Sequence, residues 1–494
     1  MESFDGMRTI PWISIVVFLL KSSVLLGQYP LIRGVPSEVD FSRHLRQWDG
    51  FGFNYVETAH TYDYENNPQE YGGFSLLDEN EKQEIIDLVF REDGLKVSLL
   101  KMFLDPLPQL TPEAVFDHEL STGNMLEFAV RGLEKTRERG DDLTILTTLY
   151  GPPAWATLEK FDQGRDLDPA MKFKLADYMI DWVKFLKEEK GLPVKYLSLH
   201  NEGEDLWRWP GDGKMRGIFD YNLYWPPEQI NDFLKFMPGM LEKEGLGDVL
   251  LTNGEPSNWY RFSHWGCASG IYDDKKALAN LGLITSHGFY AEIDLHRWYG
   301  NHNSVGIDLL RKARPELHAW VTSTSWGKMD EMFVWEIFGN IYTLKVNAII
   351  PWAGIQRPTE WEGGDPNAGC AVRVLEDGSY EIQKGYYFYK QATRAGQPGM
   401  AIAHTYSMDT QISIIGFASN GTGQPDAFII IKWDKKWDKN IALKIKGTNA
   451  KKFHGYRTDN KDQNYSDIGR LEPEEGIFYY KAPLGTVTTF YAAD

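Results

Sequence analysis

The sequence predicts a (β/α)₈ barrel followed by an antiparallel β-sandwich, and three observations carry that prediction. Strand-like and helix-like stretches alternate from about residue 50 to residue 395, the pattern of a parallel sheet wrapped by helices. Eight strand candidates fall in that span, the number that closes a barrel. Beyond the turn-rich break Ala395-Gly396-Gln397-Pro398-Gly399 the periodicity becomes two, with no helix intervening.

Taken in order, the first residues read as an address. A basic start at Arg8, an apolar run from Ile10 to Leu20 and a small-residue exit at Leu25-Leu26-Gly27 predict a secretory signal peptide over residues 1–27, with cleavage near Gln28. The run is too short to span a bilayer, so the expectation is a secreted or periplasmic protein with no membrane insertion. Residues 28–49 are expected to join the sandwich. The barrel is assigned to residues 50–395, with strands at Phe53–Glu57, Lys96–Leu104, Leu143–Tyr150, Lys195–His200, Val249–Asn253, Leu283–His287, His318–Thr322 and Asn347–Trp352. The helices between them are apolar on one side; Leu175, Met179, Trp182, Val183 and Leu186 form such a stripe on a helix beginning after Pro169. The sandwich takes residues 400–494, where Ile441, Leu443 and Ile445 alternate with Ala442, Lys444 and Lys446. Within it, the basic run Lys432, Lys435, Lys436 and Lys439 beside Trp433 and Trp437 reads as a solvated loop edge more readily than as a sugar-binding strip.

Composition narrows the function. A chain of 494 residues that is 42% hydrophobic and 14% aromatic is globular, not disordered or fibrous. A net charge of −18 repels nucleic acid and anionic membranes, so a neutral partner is expected. Cys267 and Cys370 support neither a disulfide framework nor a zinc site, and both read as buried thiols. No dinucleotide fingerprint, phosphate loop, Gly-x-Ser-x-Gly elbow or paired-histidine zinc motif occurs, so neither cofactor nor metal is expected. Oligomeric state is unconstrained.

In such a barrel, residues just past the C-terminal ends of the strands converge on one mouth. Strand four ends in His200-Asn201-Glu202, which sets an amide beside a carboxylate. Asn201 is suited to holding a sugar hydroxyl, and Glu202 to protonating a glycosidic oxygen or to capping the following helix. Trp155, Tyr290, Trp320 and Trp352 fall near strand ends, where flat rings stack on pyranose faces or pack the core. Trp207, Trp209, Trp259 and Trp361 lie in the surrounding loops. Arg208, Arg261, Arg297 and Arg357 share those loops, either to grip a charged sugar or to offset neighbouring carboxylates.

The order of these parts resembles glycoside hydrolase family 30 and its relatives in clan A. Gly50-Phe51-Gly52 is similar to the family's opening motif, and Tyr150-Gly151-Pro152-Pro153-Ala154-Trp155 to its Pro-Pro-x-Trp segment. Asn201-Glu202 matches the pair whose glutamate is the family's acid/base. His287-Gly288-Phe289-Tyr290 resembles its His-x-Tyr region, and Leu484 to Phe490 its closing strand. The resemblance implies a TIM barrel joined to a bracing β-sandwich and an O-glycosyl hydrolase acting on an extracellular poly- or oligosaccharide. It implies Glu202 as general acid, with His287, Tyr290, Trp320 and the strand-seven end lining the subsite of the cleaved sugar.

One departure stands against these matches. Where the family ends strand seven in Trp-x-Thr-Glu, with that glutamate as nucleophile, this chain reads Trp320-Val321-Thr322-Ser323. A serine hydroxyl with no adjacent base is a weak nucleophile, so double displacement does not carry over. Three readings follow. A second carboxylate activates water, with Glu57 preferred over Glu360, Glu362 and Glu255; or the substrate supplies the nucleophile and Ser323 makes room for it; or the scaffold binds glycan without cleaving it.

Overall fold

The N-terminal strand β1 (Val35–Gln47) does not belong to the barrel that follows it in sequence. Eight parallel strands form that barrel: β2 (Gly50–Asn54), β3 (Leu99–Leu104), β4 (Thr144–Leu149), β5 (Val194–Ser198), β6 (Leu250–Thr252), β7 (Leu281–Ser286), β8 (Ala319–Ser325) and β9 (Ala348–Trp352). It closes where Gly50 and Phe51 pair with Ala348 and Ile349. The computed structural model describes residues 33–57, 70–204, 221, 223–289, 303–326, 329–357, 369–433 and 436–493. The expected signal peptide, Tyr290, Glu360, Glu362, Trp207, Trp209, Trp361, Arg208, Arg297 and Lys435 lie outside them.

Each predicted strand overlaps an observed one, and the ends differ by a few residues. β2 is displaced as a whole, starting and ending three residues before the predicted Phe53–Glu57. Every residue of Gly50–Asn54 is buried, so the stretch shows no alternation from which a register could be read; pairing with Leu99 to Lys101 and with β9 sets it instead. Helices follow the strands in turn: α1 (Glu79–Phe90), α2 (Gly123–Glu138), α3 (Lys172–Lys184) and α4 (Pro227–Lys243), then α5 (Trp259–His264), α6 (Cys267–Asp273) and α7 (Lys275–Asn280) after β6. The last barrel helices are α8 (Val305–Ala313), α9 (Glu331–Tyr342) and α10 (Lys384–Ala395). The predicted start at Pro169 is a 3₁₀ turn, capped by Asp168, that leads into α3. The predicted stripe is buried there, and the Trp182 indole N–H donates 2.8 Å to Thr147 Oγ1 on the outer face of β4. A small sheet of β10 (Ile355–Gln356), β11 (Val372–Val374) and β12 (Tyr380–Ile382) follows β9.

The second sheet is mostly antiparallel. Its strands are β13 (Ala401–Ser407), β14 (Ile412–Ala418), β15 (Ala427–Lys432), β16 (Lys439–Lys446), β17 (Lys452–Asp459), β18 (Ser466–Leu471), β19 (Ile477–Ala482) and β20 (Thr486–Ala493), with β1 inserted between β13 and β16. Phe478 on the edge strand β19 meets Phe428 on β15 and Phe490 on β20 at ring separations of 5.5 and 4.9 Å. Strands that distant in the sheet touch only because it folds over on itself as a sandwich. The barrel and the sandwich share one core, which runs from Trp48 and Phe51 to Phe417. In the basic run, Lys432 is buried and Trp437 is exposed.

Candidate active site at the barrel mouth

Residues two apart on a strand share a face, and this rule builds the site. Leu99, Leu146, Tyr196, Leu283, Trp320 and Ile350 form one apolar layer inside the barrel. Two residues further along their strands stand Lys101, Thr148, Ser198, Thr285, Thr322 and Trp352. The lining therefore turns from apolar to polar within one step towards the C-terminal mouth.

Glu255, three residues past β6, sits at the centre of that polar layer and is fully buried. Lys101 Nζ and the Thr148 hydroxyl donate to its two oxygens, Thr322 Oγ1 donates at 3.0 Å, and His287 Nε2 lies 3.1 Å away. Burial alone would raise the pKa of this carboxyl. The Lys101 charge and the His287 contact outweigh burial and bring it down to about 2, so Glu255 is an anion at any working pH. The other nitrogen of the same imidazole, Nδ1, lies 3.0 Å from Glu202 Oε1. Glu202 and Glu255 thus sit on opposite sides of one histidine ring. Lys101 also donates to Ser323 Oγ at 3.3 Å. A register shift in β8 between Val321 and Thr324 brings Thr322 and Ser323 to the same network, although they are neighbours in sequence.

The backbone fixes this geometry. Glu202 has φ 40°, a left-handed conformation that costs an ordinary residue on the order of 1–3 kcal/mol and occurs where the surroundings enforce it. Here the Glu202 N–H donates to the Glu255 carbonyl and the Glu255 N–H to the His200 carbonyl, both at 2.9 Å, which ties the end of β5 to the end of β6. Gly254 makes this approach possible: its φ is +80°, and a Cβ there would stand 2.1 Å from the His200 ring. His200 is buried and stacked on Trp225, and burial lowers its pKa to about 3. It is therefore neutral, and its Nδ1 accepts from the Gly203 N–H at 3.1 Å.

The structure brings together Asn201, Glu202, His287 and Ser323, and adds Glu255, Lys101, Thr148 and Thr322. Trp352 is at the mouth, edge-on to Phe103 at 5.6 Å and tilted on Tyr71 at 5.7 Å. Phe103 in turn meets Tyr150, and Tyr150 meets Tyr221, forming one aromatic wall.

Three of the expected site residues lie apart from this network. Trp320 belongs to the apolar layer below the mouth; its indole N–H donates 2.7 Å to Asp49, just before β2, and its ring packs on Tyr196. Glu57 takes no part in the network. Its oxygens accept from Asn124 Nδ2 at 2.9 Å and from the Met125 N–H at 2.8 Å in the first turn of α2, which uses it as a cap. Trp155 donates to the Gln109 carbonyl at 2.9 Å and packs edge-on to Tyr178, locking the loops after β3 and β4 together. Of the loop residues, Trp259 is core, and Arg261 is buried against Glu204 at 3.3 Å and Ser257 Oγ at 3.2 Å. Cys267 and Cys370 are buried free thiols. Among the described residues no cluster of His, Cys, Asp or Glu is arranged to hold a metal, and no helix is long and apolar enough to cross a membrane.

No family model and no curated protein matches this sequence. Solved structures do. A family 30 glycoside hydrolase endoxylanase from Clostridium papyrosolvens C71 aligns over 93% of this chain and 100% of its own, with 16% identity and a TM-score of 0.66. The catalytic domain of a family 30 xylanase C from Talaromyces cellulolyticus covers the same shares at 14% identity and a TM-score of 0.69. An endo-β-1,6-glucanase aligns over 93% of this chain and 94% of its own, at 17% identity and a TM-score of 0.66. The chain thus has the family 30-like fold, a closed (β/α)₈ barrel with a β-sandwich.

Proposed function

We propose that the protein is a secreted glycoside hydrolase that cleaves O-glycosidic bonds of an extracellular poly- or oligosaccharide, with Glu202 as proton donor and Asn201 as positioning amide. The observation that carries this reading is the chain of contacts Glu202–His287–Glu255, seated on the polar layer where the barrel opens. Glu202 donates its proton to the glycosidic oxygen as the bond to the anomeric carbon breaks. Glu255, buried and held by Lys101, Thr148, Thr322 and His287, acts as a fixed counter-charge. The attacking group is then water or an acetamido-type group on the sugar itself, with Ser323 standing where a nucleophilic carboxylate would be. The wall of Phe103, Tyr150 and Trp352 supplies the apolar face against which a sugar ring stacks.

The test is product release from a panel of plant and algal polysaccharides, with the anomer of fresh product read by NMR. Glu202→Gln is expected to lose about 10²–10⁴-fold in kcat. An inverted product assigns attack to water, and a retained one assigns it to the substrate. A second reading, a glycan-binding protein without activity, draws on the burial of Glu255 and the serine at strand seven. It is supported instead if the wild type binds a glycan of the panel by calorimetry and releases nothing from it.

A further inference from the structure

The two contacts of the His287 ring, 3.0 Å to Glu202 and 3.1 Å to Glu255, each join nitrogen to carboxylate oxygen, and each needs a hydrogen between two atoms that otherwise present lone pairs to one another. On the Glu255 side the proton has one place. That carboxylate already faces the Lys101 ammonium and two hydroxyl donors, which fix it as an acceptor, so the proton is on His287 Nε2. On the Glu202 side the remaining proton is on either Nδ1 or Oε1. We infer that Glu255 is a positioning residue that fixes the Nε2–H form of His287 and so retains one proton on the Nδ1–Glu202 contact, within reach of the proposed donor before each turnover. This rests on the assignment of Glu202 as acid.

The surroundings carry the charge balance. Among the described residues, the titratable groups facing His287 are Lys101 from β3, Glu202 and His200 from the end of β5, and Glu255 from the end of β6. Lys101 and Glu255 cancel, His200 is neutral, and a single proton serves Glu202 and His287 together. When Glu202 Oε1 gives that proton to the leaving oxygen, its carboxylate is left opposite the bare Nδ1 lone pair. That repulsion favours recovery of a proton from the water that completes hydrolysis.

The experiment needs no substrate, so its outcome is separate from that of the polysaccharide panel. Two-bond ¹⁵N–¹H NMR on uniformly labelled full-length protein, with His287→Asn used to assign the ring, reads which nitrogen carries hydrogen between pH 5 and 9. The wild type is expected to show Nε2 protonated throughout. In Glu202→Gln the side-chain amide donates to Nδ1, and the neutral Nε2–H form should persist across the range. In Glu255→Gln the ring loses the anion that fixes its tautomer, and Nδ1 should compete with Nε2 for hydrogen. A wild-type ring protonated on Nδ1 alone overturns the inference. So does an unchanged share of hydrogen on Nε2 in a Glu255→Gln protein whose circular dichroism matches the wild type. If that variant does not fold, Thr322→Val, which removes one donor from Glu255 and keeps its charge, is expected to leave hydrogen on Nε2, and its transfer to Nδ1 counts against the inference.

Discussion

Two barrel strands are followed by a buried glutamate, Glu57 after β2 and Glu255 after β6, and the two titrate in opposite directions. Burial pushes Glu57 up to about 7, against the bonds from the Met125 and Asn124 amides, with Glu70 adding to the rise. Burial pushes Glu255 up as well, but the Lys101 charge and His287 reverse it and bring it to about 2. Desolvation has the same sign at both sites, so the partner's charge decides. Amide donors offset only part of the cost of burying a carboxylate, whereas a cation in contact reverses it. This separates a carboxyl that caps a helix from one that anchors the polar layer at the barrel mouth.

The strongest way to break the comparison is to remove the cation. Lys101→Met leaves Glu255 ionised, buried and unpaired, and is expected to destabilise the protein by about 3–5 kcal/mol in guanidinium unfolding followed by circular dichroism. Replacing both residues, Lys101→Met with Glu255→Leu, should lose less than the single change, because no charge is stranded. A double variant at least as damaged as the single one would mean that shape, not charge, holds the layer. Thr322→Val comes next. It keeps the side-chain shape and removes one donor to a charged acceptor, for a loss of about 1.5–3 kcal/mol by the same measurement.

These contrasts also mark what the sequence made legible. Eight barrel strands and a following β-domain are legible in local patterns, and the fold agrees with them; the Asn201-Glu202 pair is legible in the same way and falls just past β5. The rest depends on which side chains share a layer, and buried parallel strands hide that, being apolar on both faces. Trp320 and Ser323 are three residues apart, yet one packs in the barrel floor and the other joins the mouth network. Glu57 and Glu255 are both carboxylates just past a barrel strand, and adjacency of strands favours Glu57, whereas the contacts with His287 and Lys101 fall to Glu255. A signal was present in Leu99-Leu100-Lys101-Met102-Phe103: a lysine inside an apolar strand needs a buried partner, and Glu255 is the carboxylate that meets it.

A smaller effect tests the Glu57 side through pH. Its folded pKa of about 7 lies above the ordinary 4.5, so between those values the native state binds more protons than the unfolded one. Its contribution is full below about pH 4.5 and is lost as pH rises through 7, with a slope of at most about 1.4 kcal/mol per pH unit. Glu57→Gln removes the titrating group and should flatten the decline in Tm over that window. For Glu255 the sign is opposite: its contribution is present above 4.5 and is lost only as pH falls towards 2.

The smallest expected effect sharpens the contrast with Thr322. Asn124→Ala also deletes one donor to a buried glutamate, but at pH 5 that carboxyl is mostly protonated, and losing a bond between neutral groups costs about 0.5–1.5 kcal/mol. At pH 8 Glu57 has ionised and the same deletion removes a charge-assisted bond, so the loss should grow. Chemical denaturation at the two pH values measures the difference, with Thr322→Val as the reference whose acceptor is ionised at both. Equal losses at pH 5 and 8 for Asn124→Ala would mean that Glu57 does not change its ionisation in that window. Its environment would then resemble that of Glu255 far more than the contacts around it suggest.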